Sequence, residues 1–303
     1  MLDFQPLNLA QKDLFSQYLQ TGGERGCEYS FVNLYLWGRQ KAAIVSDNLV
    51  FFSQFNRKSV YLYPVGQGDK KAALDAIVED AAQRGIPCRL VGLTHDDCAQ
   101  LEALYPGRLR YHFDRDSFDY VYDIHDLADL KGKKFQRKRN HLNRFRTLYP
   151  EHTLEPITPE NLPEAEALVQ LWYQLRQTQD PHADFHMEQA ALSKALRQFE
   201  ALGMEGMLLR TRDGVVAMTI GSRLNSNTFD VHFEKALDMA DGAYAAINNG
   251  FANYLRTKYP HIAYLNREDD LGIEGLRKAK LSYNPHHMVE KHWAHLLEDG
   301  YDY

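Results

Sequence analysis

Apolar residues recur along this chain in two periods, and the two periods alternate. Segments 7–20, 29–39 and 69–84 carry apolar positions three and four residues apart, the repeat of helices with one buried face. In 69–84 the buried positions are Ala72, Leu74, Ile77 and Ala81, and Gly85 supplies the stop. Segments 42–45, 49–55, 59–65 and 88–93 are short apolar runs of strand type, the first two joined by the turn Ser46-Asp47-Asn48. A helix at 96–104 and a strand at 108–113 close this half, with 4–7 as a candidate opening strand. The second half repeats the order without repeating the sequence. It predicts a strand at 153–157, helices at 163–178 and 186–202, and strands at 206–211, 215–224 and 228–234. Tight turns at Asp213-Gly214 and Asn225-Ser226-Asn227 link those three strands. A helix at 243–258, a strand at 262–266, a short helix at 274–281 and a strand at 287–293 follow. The pattern predicts an α/β (α+β) protein of two domains, residues 1–115 and 116–303.

Between the halves lie a strand-like stretch, 118–124, and a helix at 131–147. Residues 131–146 contain eight Lys or Arg and no acid, in a chain of net charge −6. On a helical wheel Phe135, Leu142, Phe145 and Tyr149 form one stripe, which suits packing on a core. Lys133, Arg137, Asn140, His141 and Arg144 fall opposite. A plain solvated face is one reading. Against it, the run lacks the acids four residues away that stabilise a merely exposed charged helix, and like charges at that spacing repel. The face therefore calls for an anion: a phosphate-bearing substrate, RNA, a lipid headgroup or an acidic surface.

A length of 303 residues suits two domains, and a hydrophobic share of 44% suits a soluble globular protein. No apolar run reaches the roughly 20 residues of a membrane-spanning helix, and the first residues lack the pattern of a signal peptide. Three cysteines, Cys27, Cys88 and Cys98, with no CxxC pair, fit a reducing compartment and neither a disulfide framework nor a zinc site. The expected location is the cytoplasm, with the inner membrane surface as a peripheral station. His286, His287, His292 and His295 match no standard zinc spacing, so no metal is expected.

The element order resembles the GCN5-related N-acetyltransferase fold, and two copies resemble the tandem Fem-type aminoacyltransferases. Two segments, 130–145 (LKGKKFQRKRNHLNRF) and 271–285 (LGIEGLRKAKLSYNP), resemble the family of the phosphatidylglycerol lysyltransferase C-terminal domain, as does Tyr29-Ser30-Phe31-Val32-Asn33-Leu34. Gly272, Glu274, Gly275, Leu276, Lys280 and Pro285 match the closing motif of that family. The resemblance implies two tandem acetyltransferase-like domains with mixed, largely antiparallel sheets. It also implies a transferase that moves an acyl or aminoacyl group from a carrier to an amine or hydroxyl, without a firmly required cofactor. Aminoacyl-tRNA and acyl-CoA are both candidate donors. The chain lacks the large membrane region of well-known members, which leaves the lipid acceptor open.

The same resemblance distributes the candidate residues. Acetyltransferases cradle a pyrophosphate at the start of their central helix; here the aligned loop carries Gly242, Ala243 and Tyr244, with Met239 in place of the polar head, Tyr244 in place of the small residue, and Asp241 a charge that would repel a phosphate. Strand alternation puts Asp230, His232 and Glu234 on one side of the third strand, where Glu234 or His232 would accept a proton. A half-exposed strand with its polar side toward water is the plain alternative. Asn266, Arg267 and Glu268 follow the next strand and would bind substrate, with Arg267 as an anion clamp. Glu274 and Lys280 fall in the closing motif, and Lys280 would neutralise an oxyanion or a carrier phosphate. Lys133, Arg137, Asn140, His141 and Arg144 would hold the anionic donor or acceptor. The alternative function is a catalytically silent module that binds RNA or an anionic lipid surface through that face.

Overall fold

The structure is a computed structural model that describes residues 1–55 and 58–297. The chain opens with β1 (Gln5–Pro6), α1 (Lys12–Leu19), α2 (Phe31–Trp37), β2 (Gln40–Val45), β3 (Asn48–Phe55) and β4 (Lys58–Gly66). It continues through α3 (Lys70–Arg84), β5 (Arg89–Leu93), α4 (His95–Leu104) and β6 (Leu109–Phe113). Next come β7 (Asp119–Asp123), α5 (Ile124–Asp129), α6 (Gln136–Leu148), β8 (Thr153–Pro156), α7 (Leu162–Gln179), α8 (His186–Arg197) and α9 (Phe199–Leu202). The last run is β9 (Glu205–Thr211), β10 (Gly214–Arg223), β11 (Thr228–Ala236), α10 (Ala243–Lys258), β12 (Tyr264–Asn266), α11 (Glu274–Leu281), β13 (His287–Val289) and β14 (His292–Leu296).

The chain divides into two units, Met1–Asp119 with Val289–Tyr303, and Tyr120–Met288. Residues 289–297 thus belong with the first unit, whereas the division at 115/116 places them in the second. The strands form two seven-stranded sheets, β1-β2-β3-β4-β5-β14-β6 and β13-β7-β12-β11-β10-β9-β8. Each sheet has one parallel pair, β4 with β5 and β11 with β12, among pairs that otherwise run antiparallel where their register is defined. A parallel neighbour requires a crossover, and α3 and α10 provide it. The mixed, largely antiparallel architecture expected from the element order is therefore present twice.

Local chemistry explains most boundaries. Asp69 caps α3 by accepting from the Ala72 N–H at 3.0 Å, and Gly85 ends it in the left-handed region at φ 65°. The strand expected through residue 124 stops one residue sooner. Asp123 accepts from the His125 and Asp126 N–H groups and starts α5 instead. The single helix expected at 186–202 breaks at Gln198, and the strand expected at 287–293 splits into β13 and β14. Lys291, between those two strands, is buried with its ammonium 2.6 Å from Asp119 and 2.8 Å from Glu28. That inward pull offsets the continuous pleat.

In the second unit the basic stretch behaves as its apolar stripe requires. A 3-10 turn at Lys133–Phe135 leads into α6, and Phe135, Leu142 and Phe145 join the core with Ile247, Phe251 and Leu255 of α10. Lys133 therefore sits ahead of the regular helix. Strand alternation fails in β11. Ile220 pairs with Phe233 and Gly221 with Val231, so His232 is the extra residue of a bulge. Past it, Ala236 shares the core with Phe229 and Val231, while Lys235 reaches Glu188 of α8 at 2.6 Å. Glu234 meets Asn248 of α10 and Arg267 rather than the groups around Asp230.

Candidate active site in the second unit

Three segments surround a cavity of about 270 Å³. Lys138 and His141 come from α6, the 237–245 turn joins β11 to α10, and Tyr283 follows α11. Gly242, Ala243 and Tyr244 all line it, as the acetyltransferase-like loop would. Gly242 is conformationally required: its φ is 86°, and a Cβ there would lie 2.5 Å from the His141 carbonyl oxygen and 2.9 Å from Phe145 Cβ. This glycine lets α6 pack against the start of α10. A second hollow of about 300 Å³ shares His141 and Asp241 with the first and adds Arg137, Asn140 and Arg144. Four of the five basic-face residues are thus brought together, and Lys133 is not among them. Asp241 already neutralises part of this face through an ion pair with Arg144 at 2.6 Å.

Beside the cavity lies a half-buried ion pair. Arg267 donates from Nη2 to Glu234 Oε1 at 2.9 Å, and Asn248 Nδ2 lies 3.4 Å from Glu234 Oε2. The guanidinium carbon is 5.0 Å from the Tyr283 ring centre and 5.6 Å from that of Tyr122. Burial opposes its charge, but Glu234 and the tyrosines more than compensate and raise its pKa. Arg267 Nη1 and Asn248 Oδ1 are buried without a hydrogen-bond partner.

Lys138 completes the arrangement. Its Nζ stands 3.6 Å from the Tyr283 ring centre. Burial pushes its pKa down to about 8, Arg267 pushes the same way, and Glu234 opposes both. An amine so adjusted can exchange a proton near neutral pH. The signal for it was in the sequence: residues 135, 138, 142, 145 and 149 are spaced three, four, three and four. Lys138 is thus a cation on the apolar stripe. Tyr283 lies inside the closing motif, between Lys280 and Pro285.

The other candidates build the loop behind Arg267. His232 Nε2 is 2.8 Å from Ser222 Oγ, while Nδ1 faces Glu268 Oε1 at 3.2 Å and Asp230 Oδ2 at 3.5 Å. Asn266 accepts from the Glu268 N–H at 2.7 Å. Glu268 (φ 55°) and Leu271 (φ 52°) are left-handed without being glycine, a strain of about 1 kcal/mol or more each. The Lys280 ammonium donates to the carbonyls of Arg267, Glu268 and Asp269, gathering the bend around one charge. Asp270 ties the loop to Arg277 of α11 through two bonds, at 2.9 and 2.8 Å. Those bonds hold its carboxyl well below the usual range. Glu274 stands apart, exposed and paired with Lys278 at 3.0 Å.

No helix among the described residues is long and apolar enough to cross a membrane. A conserved protein of unknown function from Bacteroides thetaiotaomicron has a similar solved structure, with 42% identity, a TM-score of 0.92 and coverage of 98% of this chain and 100% of that one. The structure of L-PGS from Bacillus licheniformis shares the fold at 16% identity and a TM-score of 0.69, over 96% of this chain and 93% of that one. An uncharacterized protein of Mycoplasmoides gallisepticum, MYCGA3080, is 27% identical over 60% of this chain, and the match spans 57% of that relative's length. Residues 20–295 match the family model described as phosphatidylglycerol lysyltransferase, C-terminal, and the chain belongs to that family.

Proposed function

We propose that the second unit transfers an aminoacyl group from a phosphate-bearing carrier, aminoacyl-tRNA, to an amine or hydroxyl acceptor. The observation that carries this reading is Lys138. Its amine, at a pKa of about 8, lines the cavity at the inner side of α6, while Arg137, Asn140, His141 and Arg144 line the adjoining hollow. The carrier's phosphates lie along the basic hollow and its acyl end enters the cavity. The acceptor nitrogen or oxygen bonds to the acyl carbonyl carbon as the carrier's ester C–O bond breaks. The neutral Lys138 amine takes the acceptor's proton and returns it to the departing carrier hydroxyl. Arg267 and Glu234 act as positioning residues that hold Tyr283 and set the basicity of Lys138. Lys280, His232 and Glu268 hold the loop that presents Arg267.

The test is a transfer assay with charged tRNA and, in parallel arms, acyl-CoA, against small amines and phosphatidylglycerol vesicles. Lys138→Met lowers kcat by about 10²–10⁴-fold, the range of a lost general base. Replacing Arg137 and Arg144 by Gln weakens tRNA binding and flattens its salt dependence by up to about two phosphate contacts. Tight tRNA or vesicle binding without turnover in any arm overturns the transferase reading and favours the binding module. Turnover only with acyl-CoA moves the donor to a thioester.

A further inference from the structure

Three clusters of metal-ligating side chains occur among the described residues: Cys27–Glu28–Asp119, Asp230–His232–Glu268 and His95–Glu290–His292. Two are already filled. The Lys291 ammonium contacts both carboxylates of the first, and both ring nitrogens of His232 are engaged in the second. The third lies in the first unit and differs from both. His95 Nε2 is 3.0 Å from Glu290 Oε2, which is 3.8 Å from His292 Nε2. The two imidazole rings lie 4.3 Å apart, centre to centre. His292 is 92% buried (8% exposed), yet its Nε2 has no hydrogen-bond partner.

We propose that His95, Glu290 and His292 bind a divalent transition-metal ion of the zinc class. Two imidazoles and one carboxylate form a known three-ligand zinc set, in which ligands about 2.0–2.2 Å from the metal stand roughly 3.3–3.5 Å from one another. The two measured separations bracket that value. An exposed His–Glu ion pair is worth little on its own, and it leaves unexplained why a buried imidazole turns an unpartnered nitrogen toward the carboxylate. Magnesium is a poor fit because imidazole suits zinc, copper, iron or nickel. Histidine spacing along the chain hides this site, since His95 and His292 are brought together only by the fold. Of the four closely spaced histidines near the chain end, only His292 takes part. The ion would clip the first turn of α4 to the approach of β14, the strand that pairs with both β5 and β6.

The experiment uses the full chain without a histidine tag, stripped by chelator and titrated with Zn²⁺ against a chromophoric competitor. The expected result is one Zn²⁺ per chain at micromolar affinity or tighter, no competition from Mg²⁺, and a thermal unfolding midpoint that rises with Zn²⁺. Co²⁺ in its place gives the visible absorption of a four-coordinate site. His292→Ala and the surface change Glu290→Gln each weaken binding by more than about 10-fold. His286 and His287, changed together to Ala, leave it unaltered. Affinity no better than hundreds of micromolar overturns the proposal. So does binding that survives Glu290→Gln but is lost with His286 and His287.

Discussion

The two units use one plan at the same place and close it differently. In the first, the crossover helix α3 starts at Lys70 behind a side-chain cap from Asp69, and the preceding glycines press on backbone. A Cβ on Gly66 would lie 2.3 Å from the Asp47 carbonyl oxygen, and one on Gly68 1.9 Å from that of Ser46. The turn between β2 and β3 therefore seals the strand-to-helix corner. In the second unit, α10 starts at Ala243 with no side-chain cap, and its corner opens on a cavity walled by Lys138, His141 and Tyr283. A duplicated fold has one sealed corner and one open corner. The open one carries uncapped helix-end donors and an amine, Lys138, that lines a cavity; the sealed one also has an amine lowered to about 8, Lys70, but that ammonium is tied to Asn48 and the Pro64 carbonyl instead of facing a cavity.

The sharpest way to break the comparison is the pH dependence of transfer. Lys138 is the base only when neutral, and its pKa is lowered to about 8 from 10.5. Below about pH 8 the neutral fraction falls, so kcat drops about tenfold per pH unit and levels off above pH 8. Lys138→Met removes that inflection along with the rate. A profile that is flat from pH 6 to 8 in the unaltered chain excludes the amine as the base, whatever the loss in the variant.

Next in size is Gly242→Ala. An alanine here meets both a left-handed backbone and the His141 carbonyl oxygen, and the combined cost is about 2–4 kcal/mol. Hydrogen exchange reads it as faster opening of α10 amides, with α3 amides unchanged. Transfer falls with it because α6 must move away from the cavity. Equal protection of α10 in both proteins would show that the corner is looser than its contacts imply.

How much of this contrast was readable beforehand depended on the range of the interactions. Helix α10 is legible at 243–258 because its pattern and its Asp241-Gly242 start are local, and the stripe Phe135, Leu142, Phe145 marks the buried face of the basic stretch. Lys138 lies on that same stripe, and a single cation there carries no meaning until its partners are in place. Its partners, Arg267 and Tyr283, are more than 120 residues away in the chain. The β11 bulge was invisible for a related reason: alternation assumes an unbroken register, and the extra residue at His232 exists only relative to β10. Lys280 stands out in the sequence as a motif residue, yet its three carbonyl partners come together only in the bend at Glu268. Short-range periodicity carried the fold; the site depends on long-range pairs.

The smallest test touches the sealed corner alone. Asp69→Ala removes one cap bond to the Ala72 N–H, a loss of about 1 kcal/mol. Its effect is confined to hydrogen exchange in the first turns of α3, and transfer by the second unit keeps its kcat and its pH profile. Lys70 limits the loss, because its ammonium bonds Asn48 Oδ1 at 2.7 Å and the Pro64 carbonyl at 2.9 Å and holds the same turn from the other side. A change in kcat from so small and remote a perturbation would mean that the first corner still takes part in the reaction, and the division into a sealed and an open copy would fail.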